Sequence, residues 1–295
     1  MSDISPVHHL VDPGLNYLFT RNYNLSIRML PDGFSYTVFD ATKNRFMALA
    51  EFAFPFLSAS LPVYGSDQYL QWVEKIISQH ILLKEDFNKV SVLVGGNKYT
   101  LMPPPLFNPE NARKYLAFNH PLSQEDEVRF DEIHAPESVL IYGFAGSINS
   151  WINHHYPDAT IFHQCSPLLR SMHIQNKSGN HIATVMANIR SDILDIIAFK
   201  GASLHLCNSF SYFTDTDLLY YLLFVMEQLK INTDEASLLL CGAVDENSGL
   251  FNLLKTYVRF AGIVPETQAY PYPPSFNSDL LQHRYHDLLN ISLCG

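Results

Sequence analysis

The sequence lacks the cysteine spacing of metal knuckles and disulfide-rich scaffolds. Its four cysteines, Cys165, Cys207, Cys241 and Cys294, lie far apart, and no two occur in C-x-x-C spacing. Metal knuckles and disulfide frameworks are built from closely spaced pairs. Scattered single cysteines are usually small buried hydrophobic residues. We therefore expect neither a cysteine metal site nor a disulfide framework.

An excess of basic residues and a long apolar run are also missing. The 19 Lys and Arg are outnumbered by 29 Asp and Glu, for a formal net charge of −10. Proteins that bind nucleic acid are usually basic, so nucleic acid is excluded as the main partner. The longest plainly apolar run lies near Leu218–Met226. A bilayer span needs about 20 such residues, so this run predicts a buried helix and no membrane insertion.

Several motifs of enzymes and of secretion are absent. The sequence contains no G-x-S-x-G, H-E-x-x-H or G-x-x-x-x-G-K-[ST] motif. The start, MSDISPVHHLVDP, has neither the basic residues nor the apolar core of a signal peptide, which favours a cytoplasmic protein. What is present is apolar material: 47% of the 295 residues are hydrophobic. This composition predicts a folded protein with two domains.

Residues 24–54 predict three antiparallel strands. They are rich in Val, Ile, Phe and Tyr, and Pro31-Asp32-Gly33 is typical of the turn between the first two strands. Ser66-Asp67 predicts the cap of a following helix, and KVSVLVGG predicts a buried strand. The helix should bury one apolar face, formed by Tyr69, Trp72, Val73, Ile76 and Ile77. Gly95-Gly96, between two predicted strands, favours a hairpin turn.

Residues 103–137 differ from their surroundings. They hold three successive prolines, a short helix candidate after Asn108 and an acidic run, which together predict a boundary or an insertion. Strands and helices then alternate through SVLIYGF, GSINSWINHHY, ATIFHQ and SPLLRSMHI. We predict a first domain over 20–133, a second over 138–268, and a Pro-rich segment with a C-terminal helix over 269–295. That leucine-bearing helix is expected to dock on the protein's own surface.

From residue 180 the first pattern returns in the same order. HIATVMANI, ILDIIAFKG and ASLHLCNSF predict three strands, Thr214-Asp215 a helix cap, and ASLLLCGA a buried strand. Ser248-Gly249 opens a further helix. Leu25 aligns with Ile182 and Ser91 with Ser237, with an extra loop, FPFLSASLPVYG, in the first copy. Two unrelated domains rarely share such an order, so the sequence predicts a duplication.

This duplicated βββαβ order resembles the actin-like ATPase superfamily of actin, sugar kinases and heat-shock ATPases. In particular, the hairpin NLSIRMLPDGFSYTVFD and the stretch LLLCGAVDENSGLFNLL resemble an uncharacterised bacterial family, a domain of unknown function with a duplicated actin-like fold. The resemblance covers about residues 20–268. It implies an α/β fold of two actin-like (ribonuclease H-like) domains with mixed sheets and a cleft between them.

The resemblance also indicates where a nucleotide would bind. In ATP-binding members each domain's first hairpin carries Asp-x-Gly followed by Thr or Ser. Here the first hairpin has Asp32 and Gly33 adjacent and followed by a phenylalanine, and the second has Arg190 and Asp192 without a glycine. Gly242 matches one glycine of the adenosine motif. These five residues are the candidate nucleotide-binding residues, although turn chemistry explains the Asp-Gly and a tight strand-to-helix turn explains Gly242.

The histidine spacing does not predict a metal site. His154, His155, His163 and Cys165 lie close in sequence, but a predicted strand intervenes and zinc ligands prefer short fixed separations. On that strand His163 and Cys165 are expected to share a face. His283 and His286 are expected to lie, with Asp287, on a solvated face of the last helix.

Two functions from different classes follow. The degenerate phosphate hairpins favour a non-catalytic scaffold, adaptor or regulator with a protein partner, no cofactor and no metal. The alternative is an ATP-binding switch or ATP-dependent enzyme whose motifs have drifted, and a small-molecule binder using the same cleft is a third option. Arg190, at the second hairpin, could grip phosphate, although a solvated turn arginine is commoner.

Overall fold

The computed structural model describes residues 4–54, 63–178, 182–265 and 282–294. They form a mixed α/β structure with a six-stranded, a five-stranded and a three-stranded sheet. There are two large hydrophobic cores: the first packs against the six-stranded sheet and includes buried residues of the other two sheets, and the second packs against the five-stranded sheet. In the described parts of the chain, no helix is long and apolar enough to cross a membrane.

The first sheet contains the predicted meander. Its order is β1-β4-β3-β2-β5-β9. The strands are β1 (His8–Val11), β2 (Tyr23–Leu30), β3 (Gly33–Asp40), β4 (Arg45–Ala53), β5 (Lys89–Val94) and β9 (Thr160–His163). Strands β2, β3 and β4 pair antiparallel, as predicted, while β5 is parallel to β2. Helix α1 (Asp67–Gln79) begins where expected, because the Ser66 hydroxyl accepts a hydrogen bond from the Tyr69 amide, and its predicted apolar face is buried.

The second sheet repeats this arrangement. Its order is β12-β11-β10-β13-β14. The strands are β10 (Ala183–Ile189), β11 (Ile193–Lys200), β12 (Ser203–Ser211), β13 (Ser237–Gly242) and β14 (Phe260–Ile263). The helix before β9 is α3 (Gly146–His155), and the helices after β9, β12 and β13 are α4 (Cys165–Ser178), α5 (Asp215–Gln228) and α6 (Gly249–Tyr257). Thr214 caps α5 through a capping box with Asp217.

The strand orders confirm the duplication, because β4-β3-β2-β5-β9 matches β12-β11-β10-β13-β14. A bulge follows Val38 in one sheet and Ala198 in the other, and these residues pair with Leu25 and Val185. Leu25 is therefore equivalent to Val185. The sequence alignment with Ile182 was wrong, as was that of Ser91 with Ser237, since Ser91 matches Leu239. These strands are buried at nearly every position, so hydrophobicity gives little register signal.

The third sheet is built from residues 99–145, which include the stretch 103–137 where a boundary or an insertion was predicted. Its strands are β6 (Tyr99–Met102), β7 (Asp126–His134) and β8 (Glu137–Ala145), in the order β6-β8-β7, with α2 (Ala112–Asn119) packed against them. The predicted hairpin at Gly95-Gly96 was wrong, because β6 pairs with β8 and not with β5. The domain limits at 133 and 138 stay a prediction; β7 and β8 pair across them, and β9 lies in the first sheet.

Residues 282–294, called here the C-terminal segment, pack on the first sheet. A 3₁₀ turn leads into the short helix α7 (His286–Leu289), and a second 3₁₀ turn follows. The apolar contact joins Tyr285, Leu288, Leu289 and Ile291 to Phe46, Leu49 and Leu93. The prediction that the last helix docks on the protein's own surface is confirmed. The Pro-rich stretch at 270–274 lies outside the described residues.

Candidate functional site

A pocket of about 290 Å³ lies between the two larger sheets. We call it the cleft pocket. Its walls come from the β2–β3 hairpin, the β10–β11 hairpin, strand β4, the end of β13 and the C-terminal segment. The charged residues that line it are Arg28, Asp32, Glu51, Arg190, Arg284 and Asp287. The duplicated topology creates this site, because equivalent hairpins of the two sheets meet here.

The structure brings most of the predicted nucleotide-binding residues together. Asp32, Gly33, Arg190 and Gly242 line the cleft pocket, whereas Asp192 does not. The hairpin tips touch each other, because the Ser191 hydroxyl donates a hydrogen bond to the Asp32 carboxylate. Whether any of these residues holds a nucleotide stays a prediction.

The two glycines have structural reasons to be glycine. A Cβ atom on Gly33 would lie 2.6 Å from the Phe52 carbonyl oxygen of the neighbouring strand. Gly242 has φ +84°, and a Cβ atom there would lie 2.1 Å from the Ile189 carbonyl oxygen. Both positions exclude a side chain through backbone packing, without any ligand.

Arg28 is the central charged residue of the pocket, and sequence reasoning missed it. It is buried on β2, donates to Asp287 at 2.8 Å and to Ser35 at 3.2 Å, and lies 3.8 Å from Glu51. Burial alone would lower the Arg28 pKa, but the Asp287 and Glu51 carboxylates raise it, so the guanidinium stays charged. The signal that could have found it is an arginine inside an otherwise apolar strand, YNLSIRML.

Glu51 anchors the C-terminal segment to the first sheet. It accepts hydrogen bonds from the Tyr285 hydroxyl at 2.8 Å and from Arg284 Nε at 3.0 Å. His8 Nδ1 lies 2.6 Å from the same hydroxyl. Burial would raise the pKa of Glu51, but Arg284 and Arg28 outweigh it and hold that pKa below its ordinary value. Glu51 is therefore a charged residue of the pocket lining whose carboxylate already accepts hydrogen bonds from Tyr285 and Arg284.

Arg190 is buried, which corrects the expectation of a solvated turn arginine. It donates to Asp195 Oδ1 from one terminal nitrogen at 3.2 Å. Asp195 also accepts from Gln164 at 3.0 Å, from Asn188 at 2.9 Å and from the Ser209 hydroxyl. Gln164 follows β9 of the first sheet, so Asp195 links the two sheets while it neutralises Arg190. Asp195 lies in β11, the strand after the turn. The otherwise apolar sequence of that strand, ILDIIAFK, predicts a buried strand and gives no sign of an ion pair.

The expected solvated face on the last helix was wrong. His283, His286 and Asp287 are all buried. His283 Nε2 lies 2.7 Å from the Val244 carbonyl oxygen, beyond β13 of the second sheet, and His286 Nε2 lies 3.0 Å from the Ser171 hydroxyl of α4. The sequence pattern alone does not show this burial, because the partners Ser171 and Val244 lie far away in sequence.

The earlier histidine cluster disperses in the structure. His163 ends β9 and Cys165 begins α4, so they do not share a strand face as expected. His155 instead lies 2.7 Å from Glu74 of α1. Among the described residues no group of three His, Cys, Asp or Glu is placed to hold a metal ion. All four cysteines are free thiols, and three of them are buried.

The family is decided by a match over most of the chain. Residues 13–260 match the family model described as "Protein of unknown function (DUF3822)". The chain belongs to this family. A search of the curated proteins gave no match to this DUF3822 chain.

The solved structures that resemble this chain include two that cover most of it. One is a Bacteroides thetaiotaomicron protein with an actin-like ATPase fold and unknown function, at 26% identity and a TM-score of 0.76, covering 85% of this chain and 93% of that one. The other is the PilM-PilN type IV pilus biogenesis complex, at 14% identity and a TM-score of 0.65, covering 92% of this chain and 98% of that one. The DUF3822 chain therefore has the actin-like ATPase fold, as predicted.

Proposed function

We propose that this protein is a non-catalytic member of the actin-like ATPase fold that acts in the cytoplasm as a scaffold, adaptor or regulator of a protein partner. The observation that carries the proposal is the charge balance of the cleft pocket. Each lining arginine already has a carboxylate: Arg28 has Asp287 at 2.8 Å, Arg190 has Asp195 at 3.2 Å, and Arg284 has Glu51 at 3.0 Å.

A nucleotide would have to compete with these carboxylates. ATP brings several negative charges. If one of its phosphate groups paired with Arg28 or Arg190, the buried Asp287 or Asp195 would lose its cation. Hydrogen bonds to charged groups are worth about 1.5–3 kcal/mol each, so three of them amount to roughly 4–9 kcal/mol. Since about 1.4 kcal/mol is tenfold in affinity, micromolar binding would weaken to millimolar or beyond.

The hairpins offer little compensation. In the first, Phe34 follows Gly33, and Asp32 already accepts a hydrogen bond from Ser191. In the second, the bulge register places Ile193 at the position of Gly33. A phosphate needs close backbone N–H groups, which a glycine allows and a β-branched residue blocks. Both hairpins therefore support the non-catalytic proposal.

The partner half of the proposal draws on the PilM-PilN structure. That complex shows a related fold assembled with another protein, at an identity that indicates the fold alone. We infer by analogy that a protein partner is the target of this chain as well.

The second candidate is an ATP-dependent switch with drifted motifs. The observation that favours it is that Arg190 and Gly242 both line the cleft pocket with Asp32. These two residues lie at the C-terminal ends of the parallel strands β10 and β13. For this candidate to hold, Asp195 and Asp287 would have to release their arginines.

Isothermal titration with ATP and Mg²⁺ separates the candidates. We expect no binding heat at micromolar nucleotide, and the same result for Arg190→Ala and for the control Arg21→Ala, whose ion pair with Asp86 is exposed. Micromolar binding that survives in Arg21→Ala and disappears in Arg190→Ala would overturn the proposal in favour of the switch.

Affinity purification of the tagged protein from its native lysate, followed by mass spectrometry, tests the partner. One or more proteins should be recovered in every replicate. The absence of any reproducible partner would count against the adaptor.

A further inference from the structure

Helix α5 and Phe213, the residue before its N-cap, carry aromatic side chains exposed to solvent. Phe213, Tyr220 and Phe224 are 93%, 61% and 42% exposed. The rings of Tyr220 and Phe224, one turn apart, stack with their centroids 6.0 Å apart. The opposite side of α5 is buried in the second core by Leu218, Leu219, Leu222, Val225 and Met226. A helix that is apolar on both sides is normally covered on both sides.

The first copy shows that the fold does not require these rings. The buried residues Tyr69, Val73, Ile76 and Ile77 of α1 have the spacing of Leu218, Leu222, Val225 and Met226 of α5. On that match Gln71 and Lys75 stand at the positions of Tyr220 and Phe224. A solvated helix face is normally polar, as it is in α1. Exposed aromatic side chains at these two helix positions therefore occur in the second copy and not in the first.

The charge around the rings indicates what could cover them. The helix sequence DTDLLYYLLFVMEQ contains Asp215, Asp217 and Glu227 and no lysine or arginine. Carboxylates on the same helix as exposed aromatic rings favour cations, through ion pairing and through contact of the cation with the ring face. A second copy of the same face would bring like charges together, in a chain whose net charge is −10. Charge complementarity therefore favours a basic occupant.

We propose that the solvent face of α5, together with Phe213, docks an amphipathic helix of a partner protein whose apolar stripe is bordered by arginine or lysine. Aromatic residues at Tyr220 and Phe224 fit the helix-to-helix contact, in which side chains one turn apart enter the grooves of the facing helix. The inference rests on the proposed function, since it names a surface for the partner, but the surface is separate from the cleft pocket.

Fluorescence anisotropy with a designed probe tests the surface. The probe is a labelled peptide of about 20 residues, long enough to form a helix, with leucine on one face and arginine on both flanks. We expect saturable binding to the full chain, weakened by about tenfold or more in Tyr220→Gln/Phe224→Lys, which installs the residues of the first copy. The matched control, Gln68→Ala/Gln71→Ala on α1, should bind like the wild type.

Three outcomes would overturn the proposal. They are no binding to the wild-type chain, equal affinity for the double variant, and equal affinity for a probe in which glutamate replaces arginine. Sedimentation velocity without the probe adds a fourth: a concentration-dependent dimer that the double variant abolishes would assign the face to a second copy. The MgATP titration responds only to the cleft pocket, and the peptide titration responds only to the α5 surface. A failure of the docking proposal can therefore be distinguished from a failure of the proposal that the cleft pocket does not bind ATP.

Discussion

At the scale of single residues, Arg28 and Asp287 depend on each other, because both are buried and form an ion pair at 2.8 Å. The two residues lie 259 positions apart in the chain. We expect Asp287→Ala to lower the free energy of unfolding by about 3–5 kcal/mol, since it leaves Arg28 buried without its partner. The double variant Arg28→Met/Asp287→Leu should lose much less, because it removes both charges. Urea denaturation measures both, and a double variant as unstable as the single one would contradict this account.

His286 gives the C-terminal segment a dependence on pH. Burial, with the nearby charge of His283, lowers the pKa of His286 to about 4 from an ordinary value of 6.5. The unfolded chain therefore binds the proton more tightly, so this contribution to stability is complete above pH 6.5 and is lost as the pH falls towards 4.

Urea denaturation at pH 7 and pH 5 measures this effect. The wild type should lose up to about 2 kcal/mol more than His286→Gln over that interval. The exposed substitution His154→Gln is the control and should follow the wild type. Identical losses in the wild type and in His286→Gln would show that the ring accepts the proton without cost.

At the scale of elements, Thr214 holds the start of α5. Its hydroxyl accepts from the Asp217 amide, and the Asp217 carboxylate accepts from the Thr214 amide. We expect Thr214→Ala to cost about 0.5–2 kcal/mol, as loss of an N-cap usually does. Thr216→Ala, an exposed change in the same turn, should cost almost nothing. Thermal unfolding followed by circular dichroism compares the two, and equal melting temperatures would argue against the capping box.

The elements are also where sequence prediction succeeded and where it stopped. Local signals such as the Ser66 and Thr214 caps were sufficient to place α1 and α5. The register between copies was not, because buried strands read as continuous apolar runs. Gly95-Gly96 looked like a hairpin because no local signal shows that the next strand belongs to another sheet.

The candidate site divides in the same way. The resemblance to the actin-like superfamily indicated that the hairpins carrying Asp32 and Arg190 serve one cleft, and both line the cleft pocket. Their charge partners were not predicted, because Asp287 reaches Arg28 only through tertiary packing, and no periodicity in the sequence indicates a contact of that kind.

At the scale of the whole molecule, the C-terminal segment acts as a brace between the two larger sheets. Tyr285 bonds to Glu51 of the first sheet, and His283 lies 2.7 Å from the Val244 carbonyl oxygen of the second. Asp195 and Gln164 make a further link under the cleft pocket. The full chain should therefore unfold in one cooperative transition.

Removal of the brace should weaken the coupling between the sheets, which would then rest on the Gln164–Asp195 hydrogen bond and on the shared first core. Both tryptophans, Trp72 and Trp151, belong to the first hydrophobic core and neither belongs to the second, so their fluorescence reports the first core, whereas far-ultraviolet circular dichroism reports the whole chain. For a chain ending at residue 281 we expect the two urea transitions to separate, while the full chain gives coincident curves. Coincident curves in the shortened chain would show that the sheets are coupled without the segment.

The cross-strand pair behind the cleft also bears on the history of the molecule. Arg28 lies opposite Ser35 in the first unit, and at the equivalent position of the second unit Asn188 lies opposite Asp195. The first unit carries a cation on one strand of this pair, and the second unit carries an anion on the other strand. An ancestor assembled from two identical units would have placed the same residue on both sides. The present units have thus become unlike at this pair: Arg28 is neutralised by Asp287 of the C-terminal segment, whereas Asp195 is neutralised by Arg190 of its own hairpin.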